Sequence, residues 1–498
     1  MKFIVPIIIF AASICAPANA RMQSDIRRIA ETEPLKSSVW GMLAVKGRDT
    51  IAEHNSGKRM LPASNMKLIT TGTALHELGE DFRFETGIAH SGNIEDGVLR
   101  GDIYIIGGAD PTLASDDSAA DPSDKLFARW KFFIERAGIR KIEGKVIGDG
   151  RIFTDNLEND SWEYYDLGTY YSTGASGLMF YENTQEFYAE PGTAEGEPAK
   201  VVPLYPQTPW MEFTDFSVTG PAGSGDNLYL FVTDMAPVGE MRGSLAMDSR
   251  PKKEACANKF AAMTCAAYFA GYLETNGIAV SGGYADIDRK GFIRDFMNPG
   301  PRMRAEAKDN LTMLGSTFSP ALSEIIRETN HRSDNLYAET LYRTIGLKRT
   351  GSSCYDSCNV AIFKALEDMG ATGLHGFSPK DGSGLSRQNN VSPAFMVEFL
   401  ETMRGTEEFG AYLSSLPSPG EGTLTSLLRQ TGQPVKDRIF IKSGSMNGVL
   451  CYSGYILPSD GKPENTIVFS LLTNNGTAAL SRVRAELEKI ILFLAEQN

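Results

Sequence analysis

The chain has 498 residues, with 49 Lys and Arg against 62 Asp and Glu, so its formal net charge is −13. This acidic balance argues against non-specific binding to nucleic acid or to anionic lipid, and an aromatic content of 10% argues against disorder. The length predicts two or three structural units, at roughly 150 residues per domain.

The first twenty residues have the pattern of a secretory signal peptide. Lys2 supplies a positive start, an apolar run covers residues 3–15, and Ala18-Asn19-Ala20 is a small-x-small cleavage pattern. An N-terminal anchor is the alternative, but the run is shorter than the roughly 20 residues of a bilayer span. We therefore predict cleavage after Ala20, export, and a mature chain without a transmembrane span.

The next elements are a hairpin and a helix. Residues 38–46 and 50–53 are predicted strands on either side of a Gly-Arg-Asp turn. Pro62-Ala63-Ser64 opens a helix that is predicted to run to Gly79, with apolar residues recurring on one side.

The middle of the chain changes to short strands and turns. A strand is predicted over 99–106, an amphipathic helix over 125–137 and a strand over 145–147. A helix over 260–275 and a strand at 279–280 repeat this order, and Glu135-Arg-Ala-Gly-Ile139 aligns loosely with Glu274-Thr-Asn-Gly-Ile278, which indicates a weak internal duplication. Residues 160–255 are rich in Tyr, Pro, Gly and Thr and predict a small β-rich insert.

The C-terminal third is predicted to combine helices with a sheet. The predicted elements are helices over 321–330 and 335–345, strands over 439–442, 449–457 and 466–473, and a C-terminal helix whose apolar stripe runs from Val483 to Leu494. We expect the two ends of the chain to build one α/β domain into which the middle is inserted.

Five Cys remain after residue 20, and an oxidising compartment permits disulfides. The local pairings Cys256/Cys265 and Cys354/Cys358 are the first to test. A zinc site would need a second ligand cluster, which His331 and His375 do not supply.

Three short motifs carry the chemistry. The first is an S-x-x-K motif, Ser64 to Lys67, at the predicted helix start. A spacing of three places both side chains on one helical face, where Lys67 can take the Ser64 proton if burial lowers its pKa. Alone this motif is weak, since it is equally typical of a capping Ser followed by a solvated Lys.

The second motif is Ser333-Asp334-Asn335, in the break between two predicted helices. Ser333 can relay a proton between Lys67 and a leaving amine. Asn335 offers an amide to a substrate carbonyl and can orient Lys67. The competing interpretation is that Ser333 or Asp334 simply caps the following helix.

The third motif is Lys442-Ser443-Gly444, at the end of a predicted strand. A peptide ending in a carboxylate could pair with this strand, with Lys442 and Ser443 holding the carboxylate. Gly444 would let the substrate backbone approach closely. The alternative is an edge-strand Lys that discourages aggregation.

The order of the three motifs matches the set S-x-x-K, S-D-N and K-T-G, with Ser443 in place of Thr. The chain therefore resembles the penicillin-binding protein and serine β-lactamase superfamily. It is most similar to the low-molecular-mass class C penicillin-binding proteins, the D-alanyl-D-alanine carboxypeptidase/endopeptidases. The gap of about 265 residues between Lys67 and Ser333 suits the large insertion of that family, and segment 381–387 and the turn that begins at Gly107 resemble its patterns.

The resemblance implies an α+β fold: a penicillin-binding transpeptidase-like domain with an antiparallel five-stranded sheet and helices, split by a large two-part insertion. The implied division is a signal peptide over 1–20, a catalytic domain over 21–85 and 305–498, an inserted α+β domain over 86–160 and 257–304, and a small β-rich domain over 161–256. The implied location is the periplasm, with peripheral association with the wall or membrane left open.

The resemblance also implies residue roles. Ser64 attacks the carbonyl between two D-amino acids, Lys67 is the general base, and Ser333 passes the proton to the leaving D-alanine. Lys442 and Ser443 bind the terminal carboxylate, and the backbone N–H groups of Ser64 and Ser445 hold the oxyanion. The partners are peptidoglycan pentapeptides, crosslinked muropeptides and β-lactams, and no metal or organic cofactor is required.

Three further residues are candidate substrate contacts. Arg387 could meet a carboxylate of the stem peptide, Asp149 could reach an amine from the inserted region, and Asn447 follows the third motif. For Arg387 and Asp149 an ordinary structural ion pair or turn cap is an equal alternative. We assign Asp110 and Asp381 a structural role in their Gly-rich turns.

Two competing functions remain. A β-lactamase or esterase on the same scaffold would need a base for deacylation, and the chain lacks an obvious Glu-x-x-Leu-Asn segment between the first two motifs. A non-enzymatic wall-binding protein would not need Ser64, Lys67 and Lys442 together.

Overall fold

The computed structural model describes residues 16–153, 156–287 and 310–497. Residues 1–15 of the predicted signal peptide lie outside this range. The helix Ala16–Ala30 is continuous through the predicted cleavage point at Ala20. None of the helices in the described ranges combines the length and the apolar character needed to span a bilayer.

The predicted five-stranded antiparallel sheet is confirmed and is built from both ends of the chain. We call it the catalytic sheet. Its strands, in spatial order, are Asp49–His54, Val39–Lys46, Ile467–Asn474, Val449–Ile456 and Ile439–Met446. The last of these carries the third motif and lies at an edge of the sheet, where its outer side pairs with no strand of the described structure. The Ile441 N–H on that side donates a hydrogen bond to the Pro417 carbonyl over 3.1 Å.

Helices cover the catalytic sheet. The predicted helix over 62–79 is present as a short 3₁₀ turn, Ala63–Asn65, followed by the α-helix Met66–Leu78. Met66 to Leu75 are all buried, so this helix runs through the core. The other helices of the C-terminal part are Leu322–His331, Asn335–Thr350, Tyr355–Asp368, Pro393–Arg404, Phe409–Ser414, Gln433–Lys436 and Leu480–Glu496.

Outside the β-rich segment, the described residues of the inserted region form two mixed sheets and two α-helices. The first sheet has the strands Tyr284–Asp286, Val146–Asp149, Ile103–Ile106, Glu85–His90 and Thr312–Phe318. The second has Ala279–Val280, Lys141–Ile142, Val98–Arg100 and Asn93–Glu95. The helices are Ser123–Arg136 and Ala261–Thr275.

The internal duplication suggested by the sequence has a structural counterpart. Each helix of the inserted region leads into a left-handed glycine, Gly138 with φ +82° and Gly277 with φ +90°, and then into two short strands. The equivalent strands lie side by side and parallel, with Ala279 opposite Lys141 in one sheet and Tyr284 opposite Val146 in the other. The two units therefore repeat one helix–strand–strand arrangement.

The segment predicted to be β-rich consists of short strands in three small sheets. They are Thr184–Glu190, Lys200–Tyr205 and Lys252–Ala257; Glu212–Asp215, Tyr229–Val232 and Val238–Arg242; and Val218–Gly220 with Ser244–Ala246.

One strand bears on the predicted domain edges. Thr312–Phe318 pairs antiparallel with Glu85–His90 in the inserted sheet, although the predicted division at 304/305 assigns it to the catalytic domain. We propose the same division of the chain with this edge moved to just after Phe318.

The two local cysteine pairings named as the first to test are not bridged in the described structure. Cys256 lies in a strand of the β-rich segment and Cys265 in the helix Ala261–Thr275, and no bridge joins them in the described structure. The Cys354 Sγ donates a hydrogen bond to the Ser357 Oγ over 2.9 Å and is not bridged to Cys358.

Candidate active site

Ser64 lies in the 3₁₀ turn that precedes the helix Met66–Leu78. The residue before it, Ala63, has φ +46°, a conformation that costs a non-glycine residue about 1–2 kcal/mol. The turn is fixed to the catalytic sheet because the Asn65 Nδ2 donates a hydrogen bond to the Ser453 Oγ over 2.7 Å. Strain of this kind concentrates at functional sites.

Lys67 is completely buried, and its Nζ contacts three oxygen atoms. These are the Ser64 Oγ at 3.1 Å, the Asn335 Oδ1 at 2.5 Å and the Ser383 carbonyl at 2.8 Å. Burial lowers the pKa of Lys67 to about 8, although the carboxylate of Asp334 opposes the shift. Neutral Lys67 is therefore accessible near neutral pH, as a general base requires.

The segment that supplies the Ser383 carbonyl is held by two buried carboxylates. Asp381 accepts hydrogen bonds from the backbone N–H groups of Gly384 and Ser386, at 2.8 and 2.6 Å, which agrees with the structural role predicted for it. Glu339 accepts one from the Ser383 N–H over 2.8 Å. Sequence reasoning missed Glu339, although it follows Asn335 by four residues on the same helical face.

Ser333 separates two helix caps. Arg332 is the C-cap of Leu322–His331, and Asp334 is the N-cap of Asn335–Thr350, where its side chain accepts a hydrogen bond from the Tyr337 N–H. The second motif therefore does both things: Asp334 caps the following helix, and Ser333 lies close to the other motifs. Ser333 itself has φ +60°, so a second serine of the site lies at a strained backbone.

The Asn335 amide joins the catalytic helices to the inserted region. Its Oδ1 accepts the hydrogen bond from Lys67, which agrees with the predicted orienting role. Its Nδ2 donates to the Tyr171 carbonyl over 2.7 Å, a contact that the sequence did not predict. In this structure the amide expected to meet a substrate carbonyl is engaged by the inserted region.

Lys442 connects the second and third motifs. Its fully buried Nζ donates hydrogen bonds to the Ser333 Oγ at 2.9 Å and to the Ser443 carbonyl at 3.0 Å. Burial, and then the charge of Lys67, holds the pKa of Lys442 well below its usual range. The Ser443 Oγ lies 2.8 Å from the Thr423 Oγ1, so two hydroxyl groups stand together beside the edge strand.

Gly444 is required for a packing reason that the sequence did not predict. A Cβ atom at this position would lie 2.6 Å from the Pro62 carbonyl oxygen and 3.0 Å from the backbone nitrogens of Ser64 and Asn65. The absent side chain therefore allows the edge strand to approach the turn that holds Ser64. The expectation that Gly444 also lets the substrate backbone approach closely stays a prediction.

The site opens into a cleft of about 560 Å³. Ser64, Ser333, Asn335, Ser443, Ser445, Asn447 and Arg387 all line it. The Arg387 Nε lies 3.1 Å from the Glu163 Oε1, and an Nη atom lies 3.5 Å from the Asn447 carbonyl. Glu163 belongs to the inserted region and also lines the cleft, so the predicted cation faces a carboxylate that the sequence analysis did not identify.

Asp149 does not line the cleft. It is 1% exposed, and its carboxylate accepts hydrogen bonds from the Arg151 Nε and Nη2 at 2.9 and 2.7 Å. The prediction that Asp149 contacts substrate is wrong, because the neighbouring guanidinium occupies both carboxylate oxygens. The alternative, a structural ion pair, is correct.

Comparison with known proteins agrees with this geometry. A profile of the D-Ala-D-Ala carboxypeptidase 3 (S13) family matches residues 22–295 and 296–493. The D-alanyl-D-alanine carboxypeptidase of Actinomadura sp. (strain R39) is 31% identical over 92% of this chain and 82% of its own length. The D-alanyl-D-alanine carboxypeptidase DacB of Haemophilus influenzae is 25% identical over 93% of this chain and 90% of its own length.

The fold comparison gives the same result. The crystal structure of penicillin-binding protein 4 (dacB) from Haemophilus influenzae superposes with a TM-score of 0.78 at 22% identity, covering 95% of this chain and 99% of that one. The predicted fold class is thereby confirmed. The family match spans nearly the whole sequence and includes all three motifs, so this chain belongs to the D-Ala-D-Ala carboxypeptidase 3 (S13) family, as the resemblance to class C penicillin-binding proteins implied.

Proposed function

We propose that this protein is a serine-type D-alanyl-D-alanine carboxypeptidase and endopeptidase that acts on peptidoglycan stem peptides and crosslinks. The observation that carries the proposal is the contact between the Lys67 Nζ and the Ser64 Oγ at 3.1 Å, made inside the protein by a lysine whose pKa is lowered by burial. Serine hydroxyls are weak nucleophiles until an adjacent base takes the proton.

Acylation begins at Ser64. Neutral Lys67 accepts the hydroxyl proton while the Ser64 Oγ attacks the carbonyl carbon between two D-amino acids. The backbone N–H groups of Ser64 and Ser445 are the proposed donors to the developing oxyanion. This role is supported by the position of both residues on the cleft and by the close packing of Gly444 against the Ser64 turn.

Expulsion of the amine requires a proton donor on the other side of the site. The Ser333 Oγ, which accepts a hydrogen bond from Lys442, is the proposed relay: it gives its proton to the leaving D-alanine nitrogen and regains one from Lys67, which took it from Ser64. Asn335 keeps the Lys67 Nζ in place through its Oδ1, so loss of Asn335 should impair the base without removing it.

We propose that the peptide substrate pairs with the edge strand of the catalytic sheet, Ile439–Met446. A substrate that adds to Ile439–Met446 would bring its terminal carboxylate to the paired hydroxyls of Ser443 and Thr423, beside the buried Lys442. Arg387 and Asn447 are proposed contacts further along the stem peptide. Because Arg387 faces Glu163, this part of the cleft offers both a cation and an anion.

Water completes the cycle by hydrolysing the acyl-enzyme. A β-lactam would acylate Ser64 in the same way and leave slowly. The solved structure of the Haemophilus influenzae protein in complex with a β-lactam concerns a relative of the same fold and motivates this expectation. We also propose export to the periplasm with removal of residues 1–20, which rests on the sequence pattern.

The test compares wild type with Ser64→Ala. Each protein is incubated with labelled penicillin and, separately, with a crosslinked muropeptide. Stable labelling that is lost in Ser64→Ala, together with D-alanine release or crosslink cleavage, supports the proposal. Rapid loss of the label with hydrolysed penicillin would instead identify a β-lactamase. Absence of both label and cleavage would contradict any enzymatic function for Ser64.

A further inference from the structure

One turn of the inserted region has an unusual backbone. Tyr181, Glu182 and Asn183 are consecutive non-glycine residues with φ of +52°, +52° and +53°. L-amino acids enter this left-handed region mostly as single residues, because the Cβ atom crowds the following carbonyl. Three in succession must be held by their surroundings, and such strain points to a functional constraint.

Hydrogen bonds on both sides hold the turn. The Asn183 Oδ1 accepts from the Phe180 N–H at 3.2 Å, and its Nδ2 donates to the Gly174 carbonyl at 2.9 Å. The Tyr181 N–H donates to the Leu113 carbonyl at 3.1 Å. Asn183 is completely buried, so these bonds are shielded from water. The turn is a rigid support for the residue at its centre.

That central residue, Glu182, reaches the catalytic domain. Its carboxylate lines the cleft and accepts two hydrogen bonds from the Arg332 guanidinium, at 3.0 and 2.8 Å. The two residues are 150 positions apart in the chain. This bidentate pair, here called the fork, fixes the direction of the guanidinium as well as its distance from the carboxylate, since each of two N–H groups must meet one oxygen.

Arg332 is covalently bonded to Ser333. Ser333 lies between the C-cap Arg332 and the N-cap Asp334, in the left-handed region with φ +60°. Asp334 is anchored to the following helix through the Tyr337 N–H at 3.0 Å. The Glu182–Arg332 pair anchors the other side, so the strained backbone that aims the Ser333 hydroxyl at Lys442 is held from both ends.

The charges around Arg332 fit this role. Asp334 approaches the Arg332 Nη2 to 3.7 Å, and the negative charges of Asp334 and Asp117 add to burial in raising the pKa of Glu182. Arg332 opposes both effects by stabilising the ionised carboxylate. The guanidinium therefore limits the rise in the pKa of Glu182 beside the second motif.

We propose that Glu182 is a positioning residue of the active site, which acts through Arg332 to fix the conformation of Ser333. The proposal rests on the proposed function, because it assigns Ser333 a place in acyl transfer. It also gives the inserted region a part in catalysis: one strained turn of the insertion determines how well the catalytic domain relays a proton.

The test measures acylation by a fluorescent penicillin over a range of concentrations, which separates the limiting rate from the half-saturating concentration. Glu182→Ala and Arg332→Ala should each lower the limiting rate at least tenfold and change half-saturation less than twofold. The double variant should be no slower than the slower single variant, because both substitutions remove one interaction. Glu182→Gln keeps the shape and one acceptor oxygen, and should recover part of the rate.

A control and a folding check accompany these variants. Glu240→Ala removes the partner of Arg242, an exposed ion pair of the inserted region that lies outside the cleft, and should leave both parameters unchanged. Thermal unfolding of every variant reports the fold. If Glu182→Ala does not fold, two single variants take its place, Glu182→Gln and Arg332→Lys. The Lys variant loses the two-pronged hydrogen bonding of the guanidinium but keeps the charge. Each variant should slow the limiting rate at least threefold.

Three results would overturn the proposal: limiting rates unchanged in the single variants, an effect confined to half-saturation, or a double variant whose loss is the product of the two single losses. Each of these presupposes that wild type is acylated at Ser64. If wild type itself is not acylated, the proposed function is wrong and the positioning role is rejected with it, so the two failures are distinguishable.

Discussion

The Lys67 Nζ donates a hydrogen bond to the Asn335 Oδ1 over 2.5 Å, although 268 residues separate them in the chain. Most of that separation is the inserted region, which begins after the helix that carries Lys67. The insertion also returns to the site, since the Asn335 amide donates to the Tyr171 carbonyl. The pair therefore depends on both parts of the molecule, and the following predictions probe that dependence.

The pH dependence of acylation should be set by Lys67. The base is active when deprotonated, so the rate should rise as the pH increases through about 8, the lowered pKa of this lysine. Asp334 favours the protonated form. Asp334→Asn removes that charge but keeps a good N-cap, so the rising limb should move to lower pH. We expect a rate increase of about two- to threefold at pH 7.

The measurement is the pH–rate profile of penicillin acylation for wild type and Asp334→Asn. Asp368→Asn is the control, because that carboxylate pairs with Arg349 outside the cleft and should leave the profile unchanged. If the rising part of the pH–rate profile moves to higher pH in Asp334→Asn, the assignment of Lys67 as the base is contradicted.

Gly444→Ala should impair acylation severely while the protein stays folded. The new Cβ would meet backbone atoms of Pro62, Ser64 and Asn65 at 2.6–3.0 Å, and backbone cannot rotate away as a side chain can. The strand and the Ser64 turn must then separate by several tenths of an ångström or more. Since a misplacement of about 1 Å can cost on the order of 100-fold in rate, we expect a loss of at least about tenfold.

Gly410→Ala is the matched control for that substitution. Gly410 lies in the helix Phe409–Ser414, and a Cβ there would meet no atom within 4 Å. Ala is also the better helix former, so this variant should be at least as stable as wild type and equally active. Equal acylation rates for Gly444→Ala and wild type would show that the close approach of strand and turn is not needed.

Asp149→Asn should affect stability and leave catalysis unchanged. The substitution breaks the two-fold hydrogen bonding between the Asp149 carboxylate and Arg151, a partly buried pair, and should cost about 1–3 kcal/mol of unfolding free energy. Denaturant unfolding measures this cost, and acylation of the folded variant should remain within twofold of wild type. Glu95→Gln, in the exposed pair with Arg100, should cost less than about 0.5 kcal/mol. A selective fall in peptide turnover by folded Asp149→Asn would restore the original prediction that Asp149 binds substrate.

Much of the catalytic part could be predicted because its signals are local. The sequence patterns of the chain ends predict the five strands of the catalytic sheet and the helices that begin near residues 62, 321, 335 and 480, but not the helices Tyr355–Asp368, Pro393–Arg404 and Phe409–Ser414. The S-x-x-K, S-D-N and K-S-G motifs identify Ser64, Lys67, Ser333, Asn335 and Lys442, which the structure brings together. Each motif alone is ambiguous, and their order along the chain removes the ambiguity.

The missed contacts have a common physical reason. Lys67 is held by the carbonyl of Ser383, and Asn335 contacts the carbonyl of Tyr171; any residue supplies a backbone carbonyl, so neither contact leaves a pattern in the sequence. The pairing of Thr312–Phe318 with Glu85–His90 also leaves no local pattern in the sequence, because the pairing of strands far apart in the chain depends on the packing of the whole sheet. The packing of Gly444 against the Ser64 turn was also missed, since only the fold shows which backbone lies against a glycine.

The most direct test of the account is to locate the covalent adduct of penicillin. The intact protein is incubated with penicillin, and its mass and that of its proteolytic peptides are measured. The account predicts one penicilloyl group per chain, attached to Ser64, that persists after free penicillin is removed and does not form in Ser64→Ala. An adduct on another residue, or a natively folded wild type that acquires no adduct at all, would contradict it.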